Sequence, residues 1–315
     1  MKNILLLSAL VISFNLDAQT FNIIKDSIEV NDYTRSLCKV ENSIYFLDSR
    51  GDNAYKIDLT TKAIDTLNCN IELDYLINYN NTLIAYNYKN KPYYYTGTKF
   101  ERYNKKIKQK PFFEDKQYLV ETLCNGEWGG EAWFTDKRTK KKYACEATCP
   151  FIINKINNTY YLTTSLLHLT AFTAILEIND PSSLPLYQKR RNISEHPDRL
   201  PISPDSPNRT VIDSVGFMTM TSFVYNEELY HIGSKVDYLS PNYTEATNLY
   251  KVTKNELVLI EKIANFNMMT DEIIITESGE QTCYFSKELD NGGILWIKDN
   301  NIHVFSLNKK KEHLN

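Results

Sequence analysis

Glycine is scarce in this chain, 10 residues in 315, and histidine is scarcer at 5. The glycine-rich phosphate cradles are missing: there is no Walker loop and no Gly-x-Gly-x-x-Gly. A Gly-x-Ser-x-Gly elbow, a His-Glu-x-x-His helix and an EF-hand loop are absent too. No two of His168, His196, His231, His303 and His313 stand at ligand spacing. These absences remove the enzyme classes that announce themselves locally and leave only a site assembled from distant segments. Charge of one sign is also lacking. The formal net charge is −3, whereas a nucleic-acid binder carries a clear excess of Lys and Arg to neutralise phosphates. No nucleic-acid partner is expected.

Long hydrophobic runs are missing everywhere but the N-terminus. There Lys2 precedes the apolar run Ile4 to Phe14, and Asn15-Leu-Asp-Ala18 ends on a small residue. The order of a basic residue, a short apolar run and a small residue is that of a cleavable secretory signal, too short to span a bilayer. Residues 1–18 are read as a signal peptide, with residues 19–315 forming the mature chain. The mature chain is expected to be periplasmic or extracellular, with no transmembrane segment. No Cys stands at the cleavage point to carry a lipid.

What the chain does have is tyrosine, 22 residues, and phenylalanine, 14, a balance that favours half-buried pleated sheet. A strand-turn-strand phrase recurs: Asn42-Ser-Ile-Tyr-Phe-Leu-Asp48, Asn81-Thr-Leu-Ile-Ala-Tyr86, Asn158-Thr-Tyr-Tyr-Leu-Thr163, Glu227-Glu-Leu-Tyr-His-Ile232 and Gly293-Ile-Leu-Trp-Ile-Lys298. In most copies a second strand follows and closes on a Lys-bearing turn, as in Tyr55-Lys-Ile-Asp-Leu-Thr-Thr-Lys62. Repetition at a period of tens of residues is the mark of a repeat architecture. Four-stranded units are predicted over 35–68, 71–107, 117–149, 150–178, 215–263 and 272–307. The third lacks a clear outer strand, and the fifth carries a longer internal loop through Ser240-Pro-Asn-Tyr243. Such units cannot bury both faces alone, so they must stack, and a ring removes exposed ends. The expected fold is all-β: a single-domain β-propeller of about six blades, with five or seven also fitting. The strand-like segment Phe21 to Val30 is placed to pair with the C-terminal unit and close the ring.

Two segments depart from this rhythm. Between Asp180 and Asp213 lie six of the ten prolines and the basic cluster Lys189-Arg190-Arg191. Proline cannot donate to a sheet ladder, so this stretch reads as a loop excursion, either functional or draped over one face. The other departure is Cys124-Asn-Gly-Glu-Trp-Gly-Gly-Glu131. Glycine there would let backbone approach a ligand, and Trp128 between acids would suit stacking on a sugar ring. The structural alternative is a tight turn with Trp128 packed between blades. Glu127 and Glu131 are conceivable as an acid/base pair, but residues four apart around a glycine turn need not reach the required separation. His168 is a candidate base or ligand if its segment lines the channel, and otherwise a structural histidine. Arg190 is a weak ligand-contact candidate within the excursion.

Six cysteines in an exported chain permit disulfides. The close trio Cys124, Cys145 and Cys149 is expected to hold one. Cys-x₃-Cys without a nearby His lacks zinc-knuckle spacing, so no metal is expected, and no cofactor either.

The rhythm and the Tyr55–Lys62 type of phrase resemble secreted β-propeller repeat proteins of the broad kelch, NHL and YVTN-like kind, over most of residues 21–310. A Trp-Asp or double-glycine signature in each blade is missing. The resemblance implies a fold and a ligand site over the channel, and no chemistry. The leading expectation is an exported, non-catalytic binding module for a small molecule, a glycan or an envelope protein. The alternatives are a propeller hydrolase or lyase acting on carbohydrate or a lactone, and a structural envelope protein.

Overall fold

The computed structural model describes residues 20–31, 34–108, 110–168, 171–187, 208–236, 244–276, 279–287 and 290–310. Among them are twenty-five β-strands and no α-helix. Strand β1 (Asn22–Val30) comes first and is followed by six groups of four. The first sheet is β2 (Thr34–Val40), β3 (Ser43–Asp48), β4 (Ala54–Asp58) and β5 (Ile64–Leu67). The second is β6 (Tyr75–Tyr79), β7 (Thr82–Tyr86), β8 (Pro92–Tyr95) and β9 (Phe100–Arg102). The third is β10 (Phe113–Glu114), β11 (Tyr118–Cys124), β12 (Gly130–Asp136) and β13 (Lys142–Glu146). The fourth is β14 (Pro150–Ile156), β15 (Thr159–Leu166), β16 (Phe172–Ile178) and β17 (Asn208–Val215). The fifth is β18 (Phe217–Tyr225), β19 (Glu228–Lys235), β20 (Thr247–Thr253) and β21 (Glu256–Ala264). The sixth is β22 (Met269–Ile275), β23 (Gln281–Lys287), β24 (Asp290–Lys298) and β25 (Asn301–Lys309). Each group is an antiparallel meander in chain order, the arrangement of a β-propeller.

The turns explain how so little glycine suffices. A two-residue hairpin matching strand twist needs positive φ at both central positions. Asn80 and Asn81 supply it between β6 and β7 (φ 51° and 58°), and Asn226 and Glu227 between β18 and β19 (48° and 60°). Asn tolerates this region because its short polar side chain can bond locally. The Lys-bearing turns have their own mechanism. Asp58 Oδ1 accepts the Thr60 and Thr61 amides at 2.9 and 2.8 Å, with Lys62 at φ 61°. Asp136 Oδ1 does the same for Arg138 and Thr139 at 2.9 and 2.6 Å, with Lys140 at φ 62°.

Buried apolar clusters join the first sheet to the second, the third to the fourth, the fourth to the fifth, the fifth to the sixth, and the sixth back to the first. Among the described residues no such cluster spans the second and third sheets. The second sheet carries half-buried tyrosines there instead, Tyr79 and Tyr94 each meeting Tyr103 edge-on at 6.4 and 6.2 Å. Between the fourth, fifth and sixth sheets runs a buried polar layer. Asn154 donates to Ser222 Oγ at 2.7 Å, Thr163 meets the same hydroxyl at 3.0 Å, and Thr221 donates to Gln281 Oε1 at 2.8 Å. Gln281 Nε2 in turn donates to the Ser222 carbonyl at 2.9 Å. Buried polar groups satisfied in this way fix one register of the sheets.

Two sequence expectations need correction. The third sheet lacks no outer strand, since β13 fills that place; its weak member is the two-residue β10. The fourth sheet takes its last strand from the end of the Pro-rich excursion, because β17 pairs with β16 from Asn208 opposite Ile178 to Val215 opposite Phe172. The prolines had hidden it: they precede the strand and do not interrupt it. The beginning of the excursion is also tied down. Ala144 donates to the Pro185 carbonyl and Tyr187 to the Lys142 carbonyl, both at 2.9 Å, covering the edge of β13. Ser240-Pro-Asn-Tyr243 lies outside the described residues.

Strand β1 pairs in parallel with β25, from Asn22 opposite Asn301 to Val30 opposite Lys309. Phe21, just before it, packs on Phe223, Tyr225 and Tyr230 of the fifth sheet at 5.8, 5.5 and 4.8 Å between ring centres. Phe21→Ala should therefore cost about 3–4 kcal/mol, read as a lower urea midpoint with unchanged slope.

His231 on β19 is fully buried, with only Thr219 Oγ1 near Nε2 at 3.4 Å and no partner for Nδ1. Burial holds its imidazole down to about 3 from an ordinary 6.5. The unfolded chain takes up this proton below about pH 6.5 and the folded chain does not. The contribution is fully present above that pH and is lost as the pH falls toward 3. Between pH 7.5 and 5.5 the loss from this group should be about 1.4 kcal/mol. His231→Leu should flatten the slope of stability over that window; an unchanged slope would assign it to other groups.

Candidate functional site

The turn joining β11 to β12 is built around backbone that few side chains tolerate. Gly126 and Gly129 stand at φ 62° and 92°, the left-handed region that glycine enters without steric cost. The turn closes on itself. Gly129 donates to the Gly126 carbonyl at 3.2 Å, Trp128 to the Asn125 carbonyl at 3.3 Å, and Asn125 to the Gly129 carbonyl at 2.9 Å. Gly130 serves another purpose: a Cβ there would lie 2.4 Å from the Leu123 carbonyl oxygen and 2.6 Å from that of Ala147. That close approach brings the turn against the segment linking β13 to β14. A disulfide, Cys124 to Cys149, closes the same gap with Cα atoms 4.2 Å apart.

On this tethered base Trp128 projects outward, 72% exposed. The structural expectation, packing between blades, is corrected, because the single 3₁₀ turn of Gly126–Trp128 carries the side chain beyond the sheet. Leu123 and Leu167 are exposed on the neighbouring backbone at 45% and 55%. Glu127 forms an ion pair with His168 Nδ1 from the β15–β16 connection. Both partners are about half exposed, so the pair orients the two loops more than it stabilises them.

The other sequence candidates separate. Glu131 lies on β12, opposite Leu123 and Glu146, while the ion-pair partner of Glu127 is His168. Arg190 lies outside the described residues. Of the cysteine trio, Cys124 and Cys149 are bonded, as expected of one pair within it. Cys145 is a free thiol in the core, pushed up to about 12 by burial. Among the described residues no three His, Cys, Asp or Glu side chains converge on one point.

Sequence reasoning missed a second aromatic surface on the same sheet. Trp133 stacks on Tyr187 at 5.3 Å, and its indole N–H donates to Glu121 at 2.8 Å. Lys142 donates to the same carboxylate at 2.9 Å, and those two bonds, that of Lys142 first, hold the Glu121 carboxyl below its usual range. Tyr187 belongs to the Pro-rich excursion, so no periodicity could have placed it. Alternation along β12 does put Trp133 on the face opposite Ala132 and Phe134, and that much was available in advance.

No protein-family model matches the chain, and a search of curated proteins finds no match. Among solved structures, the β-propeller domain of the Trilobed protease from Pyrococcus furiosus shares 11% identity, with 85% of this chain and 83% of that one covered, at a TM-score of 0.34. A luciferin-regenerating enzyme shares 10% identity over 85% of this chain and 91% of its own, at 0.36. BamB from Moraxella catarrhalis shares 7% over 81% and 83%, at 0.29. Likeness at this level carries no argument about activity, and the architecture rests on the strand pairing itself. No helix among the described residues is long and apolar enough to cross a membrane.

The tether can be tested apart from any ligand. Breaking Cys124–Cys149, which spans 25 residues, in Cys124→Ser/Cys149→Ser should lower stability by roughly 3 kcal/mol. Urea unfolding of the double variant against the oxidised protein measures it.

Proposed function

We propose that the chain is an exported binding module whose ligand contact is made by Trp128 and the Glu127–His168 pair. The observation that carries this reading is a 72%-exposed indole on a turn held by a disulfide and three backbone hydrogen bonds. The indole is exposed together with Leu123 and Leu167, and exposed apolar surface that is grouped marks a contact site. Holding it rigid lowers the ordering cost of binding. A flat ring flanked by a carboxylate and an imidazole suits the apolar face of a sugar, whose hydroxyls the polar pair can bond. The ligand class proposed is therefore a glycan.

In this reading the six sheets are the blades of a ring sealed by β1 on β25. Residues 1–18 are a signal removed on export, and the remainder is one domain. The disulfide fits an oxidising compartment. A binding role is favoured over hydrolysis because Glu127 and His168 are already engaged with each other.

Titration of the purified protein with cellohexaose, chitohexaose and laminarihexaose, followed by tryptophan fluorescence and calorimetry, tests the proposal. At least one sugar should bind, with Trp128→Ala reducing affinity roughly tenfold or more and Glu127→Gln reducing it less. Binding that is unchanged in Trp128→Ala, or absent for all three sugars, would overturn the glycan reading.

A further inference from the structure

A second site lies where the sixth sheet meets the first. A cavity of about 240 Å³ opens between β1, β24 and β25 on one side and β2, the β2–β3 turn and the β4–β5 turn on the other. Its apolar walls are Ile44, Leu59, Ile294, Val304 and Phe305. Two ammonium groups reach it. Lys62 is held by Asp26 at 2.7 Å and lies over the Phe305 ring at 4.9 Å. Lys39 is the unusual one. Its side chain is only 9% exposed, it sits over the Trp296 ring at 4.2 Å, and its one hydrogen-bond acceptor among the described residues is Glu280 at 3.3 Å.

An ammonium group has three donors, and a buried cation with donors unfilled is costly. Lys39 therefore presents unused hydrogen-bonding capacity beside an apolar space that it lines. A cationic occupant would face two ammonium groups, while the one carboxylate among the lining residues, Asp26, is already engaged by Lys62. A neutral apolar occupant would leave the Lys39 donors as they are. An anion with an apolar body meets both demands at once. His303 is stacked on Trp296 at 4.8 Å, and its imidazole is lowered by burial first, with Asp26 opposing and Lys62 and Lys39 adding to the shift.

We propose that this cavity binds a small organic monocarboxylate with an apolar body, a short fatty or aryl acid, its carboxylate received by Lys39 with Lys62 beside it. The site is separate from the Trp128 turn and does not rest on the glycan reading. Trp128 tips a turn between the second and third strands of its sheet, whereas the cavity lies at the turns between first and second and between third and fourth strands. Antiparallel order puts those turns at opposite ends of a sheet.

Calorimetric titration of the purified protein with octanoate, and with 1-octanol and octylamine as matched neutral and cationic probes, tests it without any variant. Octanoate should bind one per chain and at least roughly tenfold more tightly than either control. In Lys39→Met that preference should vanish. In Glu280→Gln, which frees the ammonium from the carboxylate it meets among the described residues, octanoate should bind more tightly. Backbone circular dichroism of both variants confirms that they are folded. Equal binding of octanol and octanoate would make the cavity a simple apolar void, and no binding of octanoate would overturn the site. Tightness in folded Lys39→Met equal to the parent's would remove Lys39 from it.

Discussion

The pairing of β1 with β25 joins residues 279 positions apart along the chain, and the rest of the structure leans on it. The other sheets are meanders in chain order, most of whose strands pair across short turns, the β16–β17 pair across the Pro-rich excursion being the long exception. Only this pairing is parallel and brings the two ends of the described chain together. Its side chains reach further than its hydrogen bonds. Phe21 enters the cluster of the fifth and sixth sheets, and Val30 that of the sixth and first. One strand of nine residues thus ties three sheets.

Placing the junctions side by side shows where the molecule is well joined and where it is not. Five sheet-to-sheet junctions have buried apolar clusters, and the fourth, fifth and sixth sheets add a hydrogen-bonded polar layer. Between the second and third sheets no such cluster lies among the described residues, and the second sheet carries half-buried tyrosines. The exposed Trp128 turn belongs to the third sheet and is tied toward the fourth, through Cys149 and His168. The carboxylate-binding cavity proposed above sits instead at the junction that β1 completes. A ligand held there would stabilise the closing strand together with the first sheet, because anything that binds only the folded form shifts the equilibrium toward it.

Much of the fold was legible in the chain. Period-two alternation with aromatic and β-branched residues marked nearly every strand, and Asn at the turns stood in for glycine where positive φ was required. The reading failed where local signals are weakest. Two residues of β10 cannot show a period, and β17 follows a stretch of prolines whose punctuation dominates its surroundings. The candidate site was half legible. Glycines around Trp128 announced an unusual turn, and the close cysteines announced a bond. Neither could say that the indole would be exposed. Nor could the chain between them reveal that Glu127 meets His168, 41 positions further on. The Lys39 cavity left no mark at all, because its walls come from β24 and β25 at one end of the described chain and from β1, β2, β3 and the turns of the first sheet at the other.

The sequence by itself determined the class of structure, the repeat, the turns and the segment in which a disulfide would form. Those depend on side-chain periodicity and backbone preference, which act over a few residues. Tertiary structure alone decided which cysteines pair, which carboxylate meets which base, and which lysine is buried with donors to spare. Those depend on how separate sheets stack, and stacking is set by the summed shape of many side chains, not by any local pattern.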